Sequence, residues 1–286
     1  MRFIKFHGFG NDYIVFPAAE VRVVKDIGDF GRRVCDRHYG AGADGITVVQ
    51  RATTPDADWE LVIVNPDGSI ADLSGNGTRC TVAYLYYEGL WTQPELRLAT
   101  KSGVKLYTLK AEEARGHYWF ESELGRPGLS SAETPVLTNE PLERVIDYPL
   151  EVAGVNVRVT ALAMGNPNCS LFVDDFNSLD WRHIGKHLEV HPAFPARVNV
   201  TFVRVIDRDN IEIRIWERGA GETFSSGTCS SAAAVAAIIK GYCNRRVNVH
   251  TEGGKLDVNW RETDDVVVLN GRADIVYAGE WKLADK

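Results

Sequence analysis

The chain has 286 residues, 44% of them hydrophobic and 25% charged, with a formal net charge of −7. That length exceeds what one small core usually serves, so two domains are expected. The acidic balance, with no basic stretch, argues against nucleic acid or an anionic membrane as partner, and no apolar run approaches the roughly 18 residues of a membrane span.

In chain order, Met1-Arg2-Phe3-Ile4-Lys5-Phe6 opens without the apolar region of a signal peptide. Short runs rich in branched and aromatic residues then predict strands at Ile14–Phe16, Ile46–Val49, Leu61–Val64, Leu96–Leu98, Val104–Tyr107 and Tyr118–Phe120. The second half repeats the style at Leu171–Val173, Val200–Val203, Ile211–Ile215, Val247–Val249 and Val266–Val268. Helical patterns are few: Phe30 to Tyr39, Asn76 to Glu88 and Thr228 to Lys240. The last two are followed by Gly89 and Gly241, the expected C-terminal stops. The polar segment from Gly125 to Glu140 is the expected crossing between domains. Cys35, Cys80, Cys169, Cys229 and Cys243 form no CxxC pair, so neither a zinc nor a disulfide framework is expected, and a reduced, cytoplasmic protein follows.

The two long helices begin alike, after Ser74-Gly75-Asn76-Gly77-Thr78 and after Ser226-Gly227-Thr228. Their separation of about half the chain reads as an internal duplication. The expected class is α+β, with two similar domains: residues 1–125 with strand 273–286 returning to them, and residues 126–272. A helix N-terminus offers unpaired N–H groups and the positive end of the dipole, and Gly after Ser lets a ligand approach the backbone. Ser74 and Ser226 are therefore candidate ends of carboxylate sites; each is also a natural N-cap. Asn65, before Pro66-Asp67-Gly68, is equally well read as a turn former.

Several segments together carry a resemblance. They are His7-Gly8-Phe9-Gly10-Asn11-Asp12-Tyr13, Asn65-Pro66-Asp67-Gly68-Ser69, Ser74 to Cys80, Met164-Gly165-Asn166-Pro167-Asn168-Cys169, Glu217 to Thr223, and Ser226-Gly227-Thr228. In this order, and reaching from the first residues to the C-terminal strands, they resemble the diaminopimelate epimerase family. The resemblance implies two domains, each a mixed, barrel-like sheet around a central helix, with the active site in the cleft between them. It implies a small amino-acid substrate and interconversion of its LL and meso forms, a step of lysine and cell-wall precursor biosynthesis. Neither pyridoxal phosphate nor metal is implied, so no cofactor is expected, and a homodimer is expected by analogy.

On the same resemblance, Asn11, Asn65, Asn166 and Asn199 fall on substrate-binding asparagines. Gly75, Asn76, Gly227 and Thr228 fall on carboxylate-binding turns, and Glu217 with Arg218 on the pair beside the second catalytic position. Arg218 is a natural guanidinium for a substrate carboxylate. Serine stands at both catalytic cysteine positions, as Ser74 and Ser226, and the family's histidine is Asn168. Gly45 stands where some members bear Gln, and Cys229 where the family usually has Gly. An alcohol is a far weaker acid than a thiol and needs a second group to take its proton. The alternatives are thus a divergent isomerase, a lyase or dehydratase on another small amino or carboxylic acid, or a catalytically weak substrate-binding homologue. A double Cys→Ser laboratory variant would explain neither Asn168 nor Cys229. The serine hydroxyls are expected to point into the cleft. Cys229 is read either as a thiol lowered by the helix dipole or as a core residue, and Cys80 as packed inside its helix. His7 is read as a structural hydrogen-bonding residue.

Overall fold

Phe9 and Gly10 both adopt left-handed backbone, φ 55° and 86°. The reversal turns strand β1 (Arg2–Gly8) back against β2 (Asn11–Pro17). His7 Nδ1 accepts the Gly10 N–H at 3.2 Å and holds this turn. The computed structural model describes residues 1–282 and divides into two units. Unit 1 holds Met1–Ser122 and the chain from Asn270 onward; unit 2 holds Glu123–Leu269.

In unit 1 the order continues α1 (Ile27–Cys35), β3 (Gly45–Arg51), β4 (Trp59–Val64), β5 (Ile70–Ala71), α2 (Gly75–Tyr87), β6 (Glu95–Thr100), β7 (Gly103–Ala114) and β8 (His117–Gly125). β2 pairs parallel with β3, β3 antiparallel with β4, β4 parallel with β6, and β6 to β8 form a meander. Strand β2 reads as an unbroken apolar run because both its faces are covered. Tyr13 and Val15 join the inner cluster with Leu85, Leu96 and Phe120, whereas Ile14 and Phe16 join an outer cluster with Phe30 and Val34 of α1. Helix α2 is buried on every side from Asn76 to Leu85. Its threonines satisfy themselves on the preceding turn: Thr78 Oγ1 donates to the Ser74 carbonyl at 2.8 Å, and Thr81 Oγ1 to the Gly77 carbonyl at 2.9 Å.

Unit 2 contains β9 (Val145–Val152), β10 (Val155–Ala163), β11 (Pro167–Phe172), α3 (Trp181–Glu189), β12 (Asn199–Asp207), β13 (Asn210–Glu217), β14 (Gly221–Thr223), α4 (Gly227–Ile239), β15 (Arg246–Thr251) and β16 (Gly254–Trp260). Its plan repeats that of unit 1. β11 pairs parallel with β12, β12 antiparallel with β13, and β13 parallel with β15. Helix α4 is the counterpart of α2, made of Ala and Ser and buried from Cys229 to Ala237. The final strand, β17 (Val267–Glu280), pairs with β1 and with β8. It thereby closes β1, β2, β3, β4, β6, β7, β8 and β17 into an eight-stranded barrel around α2.

Several expectations are corrected. The helix expected at Phe30–Tyr39 starts at Ile27 and ends at Cys35. Asp26 caps its start through the Asp29 N–H, and Asp36 Oδ1 takes the N–H groups of His38 and Tyr39 into a turn that stops it. Helix α3 was not foreseen; Trp181, Ile184 and Leu188 are the only large apolar residues of its buried stripe, and Asp180 caps it through His183 N–H. Strands β1, β9, β10 and β16 were not foreseen either. The segment expected to form the crossing packs inside unit 2, with Thr134 and Val136 buried and Gly128 bridged to Ala163.

Candidate active site

In unit 1, strand register gathers the predicted residues at one end of the barrel. Tyr13 lies opposite Gly45 on β3, and Ile46 opposite Val64 on β4. Asn11 begins β2, Asn65 follows β4 directly, and Ser74 caps α2. Ser74 Oγ accepts the Gly77 N–H at 3.1 Å and donates to Tyr13 Oη at 2.8 Å. The Tyr13 ring fills the space two glycines leave: a Cβ on Gly45 or Gly77 would stand 2.5 or 2.9 Å from it. The Asn65 side chain donates to Ser69 Oγ at 2.9 Å, and Ser69 Oγ donates to Asp67 Oδ1 at 2.6 Å. With Gly68 at φ 83°, Asn65 therefore also builds its own turn. Arg32 of α1 reaches over to the Asp67 carbonyl at 3.0 Å. Asn76 is buried at the helix start and donates to Asn11 Oδ1 at 3.0 Å, and Asn11 donates to Asp44 Oδ2 at 2.8 Å.

In unit 2 the equivalent register sets Asn168 opposite Asn199, and Val200 opposite Trp216, so Glu217 follows at the same end. Asn168 takes the place that Tyr13 has in unit 1, and Cys229 the place of Gly77. Asn168 Nδ2 donates to the Asn166 carbonyl and to Asn166 Oδ1, at 2.8 and 2.9 Å. Asn199 Oδ1 accepts the Arg218 N–H at 2.9 Å, while its Nδ2 is buried with no acceptor among the described residues. Glu217 accepts from Thr223 Oγ1 at 2.7 Å. Arg218 is exposed and donates one N–H to the Ala196 carbonyl at 2.9 Å. Ser226 occupies the N-cap position of α4, buried at 6% exposure, but makes no side-chain cap bond there. Gly227 and Thr228 open the helix beneath it.

The cysteines are all buried. Burial pushes the Cys229 thiol well above its ordinary pKa, reinforced by the Glu217 carboxylate and opposed by hydrogen bonding with Ser226 and Thr201. Cys229 is therefore a neutral core thiol. Burial likewise raises Cys35 to about 12 and Cys243 to about 11. At pH 8 the folded protein should leave an alkylating reagent such as iodoacetamide essentially unconsumed, and all five thiols should react after unfolding in guanidinium. Mass spectrometry checks this; rapid native labelling of Cys229 would contradict its burial.

Sequence reading missed Tyr13 as the partner of Ser74, and missed Glu189. Glu189 lies on the unforeseen helix α3 and accepts from Trp216 Nε1 at 2.8 Å and from Gly219 N–H at 2.9 Å, holding the turn after Glu217-Arg218. Its register relative to that turn has no local sequence signal. Among the described residues no three His, Cys, Asp or Glu side chains gather as metal ligands, and no helix is long and apolar enough to cross a membrane.

The fold is shared with proteins of known structure at low sequence identity. A probable proline racemase from Agrobacterium radiobacter K84 superposes with TM-score 0.69 at 16% identity, covering 99% of this chain and 93% of its own. A hydroxyproline epimerase from Agrobacterium vitis gives TM-score 0.69 at 15% identity, covering 98% and 91%. The diaminopimelate epimerase family model matches residues 3–127 and 160–276. Diaminopimelate epimerases from Pelotomaculum thermopropionicum and Moorella thermoacetica are 40% and 39% identical, over 98% and 99% of this chain and 99% and 100% of their own lengths. The chain belongs to the diaminopimelate epimerase family.

Proposed function

We propose that the protein is an amino-acid epimerase whose substrate is diaminopimelate, interconverting its LL and meso forms without pyridoxal phosphate or metal. The observation that carries this reading is the repetition, in a member of this family, of one constellation in each unit: a Ser-Gly helix start framed by asparagines at the same sheet end. The N–H groups of Gly75-Asn76 and Gly227-Thr228 would receive the α-carboxylate, and their dipoles would stabilise negative charge developing at the α-carbon. Asn11, Asn65, Asn166 and Asn199 supply amides for the substrate's polar groups, with Asn168 and Glu217 holding their neighbours in place. Arg218 suits the second carboxylate. Ser74 and Ser226 serve the reaction as hydroxyls and not as anions.

A second reading, a substrate-binding homologue with weak turnover, is favoured by one observation. The Ser74 hydroxyl is already shared between Gly77 N–H and Tyr13 Oη. Both readings require the ligand. Titration calorimetry with LL- and meso-diaminopimelate should show saturable binding to the full chain. Failure of both isomers, with other dicarboxylic amino acids binding instead, would move the substrate elsewhere; failure of the whole panel would remove the enzyme reading. A cytoplasmic homodimer is proposed with the same reading.

A further inference from the structure

Arg79 of α2 is fully buried, and among the described residues its Nη2 donates to Asn76 Oδ1. It makes no ion pair among the described residues, and its Nε and Nη1 find no acceptor there. Burial alone depresses its pKa. A buried guanidinium without a carboxylate adds little stability over an apolar side chain of its size, so stability does not account for it. Its slot is shaped for it: a Cβ on Gly271 would stand 2.8 Å from Arg79 Cζ, and one on Gly8 would stand 2.9 Å from Asn76 Oδ1.

The chain of contacts has a direction. Arginine only donates, so Asn76 must present Oδ1 to it and Nδ2 to Asn11. Asn11 must then present Oδ1 to Asn76 and Nδ2 onward. At the far end stands Asp44, an ionised carboxylate that only accepts; it also takes the Asp12 N–H at 3.1 Å and Arg37 Nη2 at 2.7 Å. An obligate donor and an obligate acceptor thus bracket two amides, each of which could otherwise flip.

We infer that Arg79 and Asp44 are positioning residues that lock the side-chain amides of Asn76 and Asn11 in one polarity, so that the remaining N–H of Asn11 is offered to an anionic group of the ligand. This rests on the proposed reading of Asn11 as a substrate contact. Flipped, Asn11 would turn a carbonyl oxygen towards a carboxylate and repel it.

The test uses the full chain, its Arg79→Met, Arg79→Lys and Asp44→Asn variants, and meso-diaminopimelate as probe. Arg79→Met should weaken binding about tenfold or more, the size of one lost charge-assisted hydrogen bond, without lowering the thermal midpoint in proportion. Arg79→Lys, still an obligate donor, should recover most of the affinity. Asp44→Asn, which can accept or donate, should weaken binding in the same direction and serves if Arg79→Met does not fold. Independently of ligand, ¹⁵N NMR should show the Nδ2 protons of Asn76 and Asn11 losing hydrogen-exchange protection in Arg79→Met and keeping it in Arg79→Lys. Unchanged affinity and unchanged amide protection in Arg79→Met would overturn the relay. If the unmodified chain binds no diaminopimelate, the functional reading fails, and the amide protection alone decides the relay.

Discussion

Replacing Ser74 and Ser226 together by cysteine should raise the rate of diaminopimelate epimerisation by about 10²–10⁴-fold, the contribution typical of positioned acid–base groups. Each serine begins a helix, where the dipole lowers a thiol's pKa and where a thiolate can rest near neutral pH. An alcohol cannot rest there as an anion. The hydrogen-bond acceptor for Ser74 Oγ–H is the phenol of Tyr13, itself a weak base when protonated. Ser226 hydrogen-bonds the buried Cys229 thiol, and the Glu217 carboxylate that acts on the same thiol is engaged by Thr223 Oγ1 at 2.7 Å. Inversion needs a proton acceptor and a proton donor, so either single replacement should give only a small fraction of the double variant's gain. Coupled-assay rates for the four combinations check this. A double variant no faster than the natural chain would show that the serines are not the limiting groups.

Replacing Asp12 by alanine should destabilise the protein by about 3–5 kcal/mol, the cost of leaving a buried charge without its partner. Asp12 is 8% exposed and meets Lys5 Nζ at 2.6 Å, with Lys5 equally buried. Arg37 clasps the same carboxylate through two N–H groups at 3.1 and 2.9 Å, and Asp44 N–H adds a third contact at 2.8 Å. Burial alone would raise the Asp12 pKa; the hydrogen bonds and charges of Arg37 and Lys5 outweigh it and lower the pKa. A depressed folded-state pKa contributes stability that is present above the ordinary aspartate value of about 3.9 and is lost as pH falls through the folded value. Urea unfolding at pH 7 should therefore separate Asp12→Ala from the natural chain, and the gap should narrow below pH 4. A gap of under about 1 kcal/mol at pH 7 would contradict a buried, paired charge here.

Much of this was legible in the sequence because it depends on local chemistry. The two helix starts, their glycine stops and the apolar runs of β2, β3, β4, β12 and β13 are written in a few residues each. The duplication showed through the spacing of Ser74 and Ser226. The family resemblance named Asn11, Asn65, Asn166 and Asn199; each stands at or next to a strand end, and Asn11 meets the start of α2 through Asn76. What was not legible depends on partners distant in sequence. Tyr13 could not be paired with Ser74 before the parallel register of β2 and β3 was known. Glu189 belongs to a helix marked in sequence by only three large apolar buried residues, Trp181, Ile184 and Leu188. Cys229 could be read either way from its position in the first turn of α4; its complete burial decides for the core. The burial of Arg79 has no local sequence signal; the barrel closed by β17 encloses it.

The proposed activity requires that this chain move the α-proton of a diamino acid. Incubating LL-diaminopimelate with the unmodified protein in D₂O and following the α-proton by ¹H NMR tests it most directly. The α-proton signal should decay slowly as the meso isomer appears, and faster in the Ser74→Cys, Ser226→Cys double variant. Retention of the α-proton in both proteins, with ligand demonstrably bound, would contradict it; release of an alkene or carbonyl product in place of the meso isomer would place the chemistry in another class.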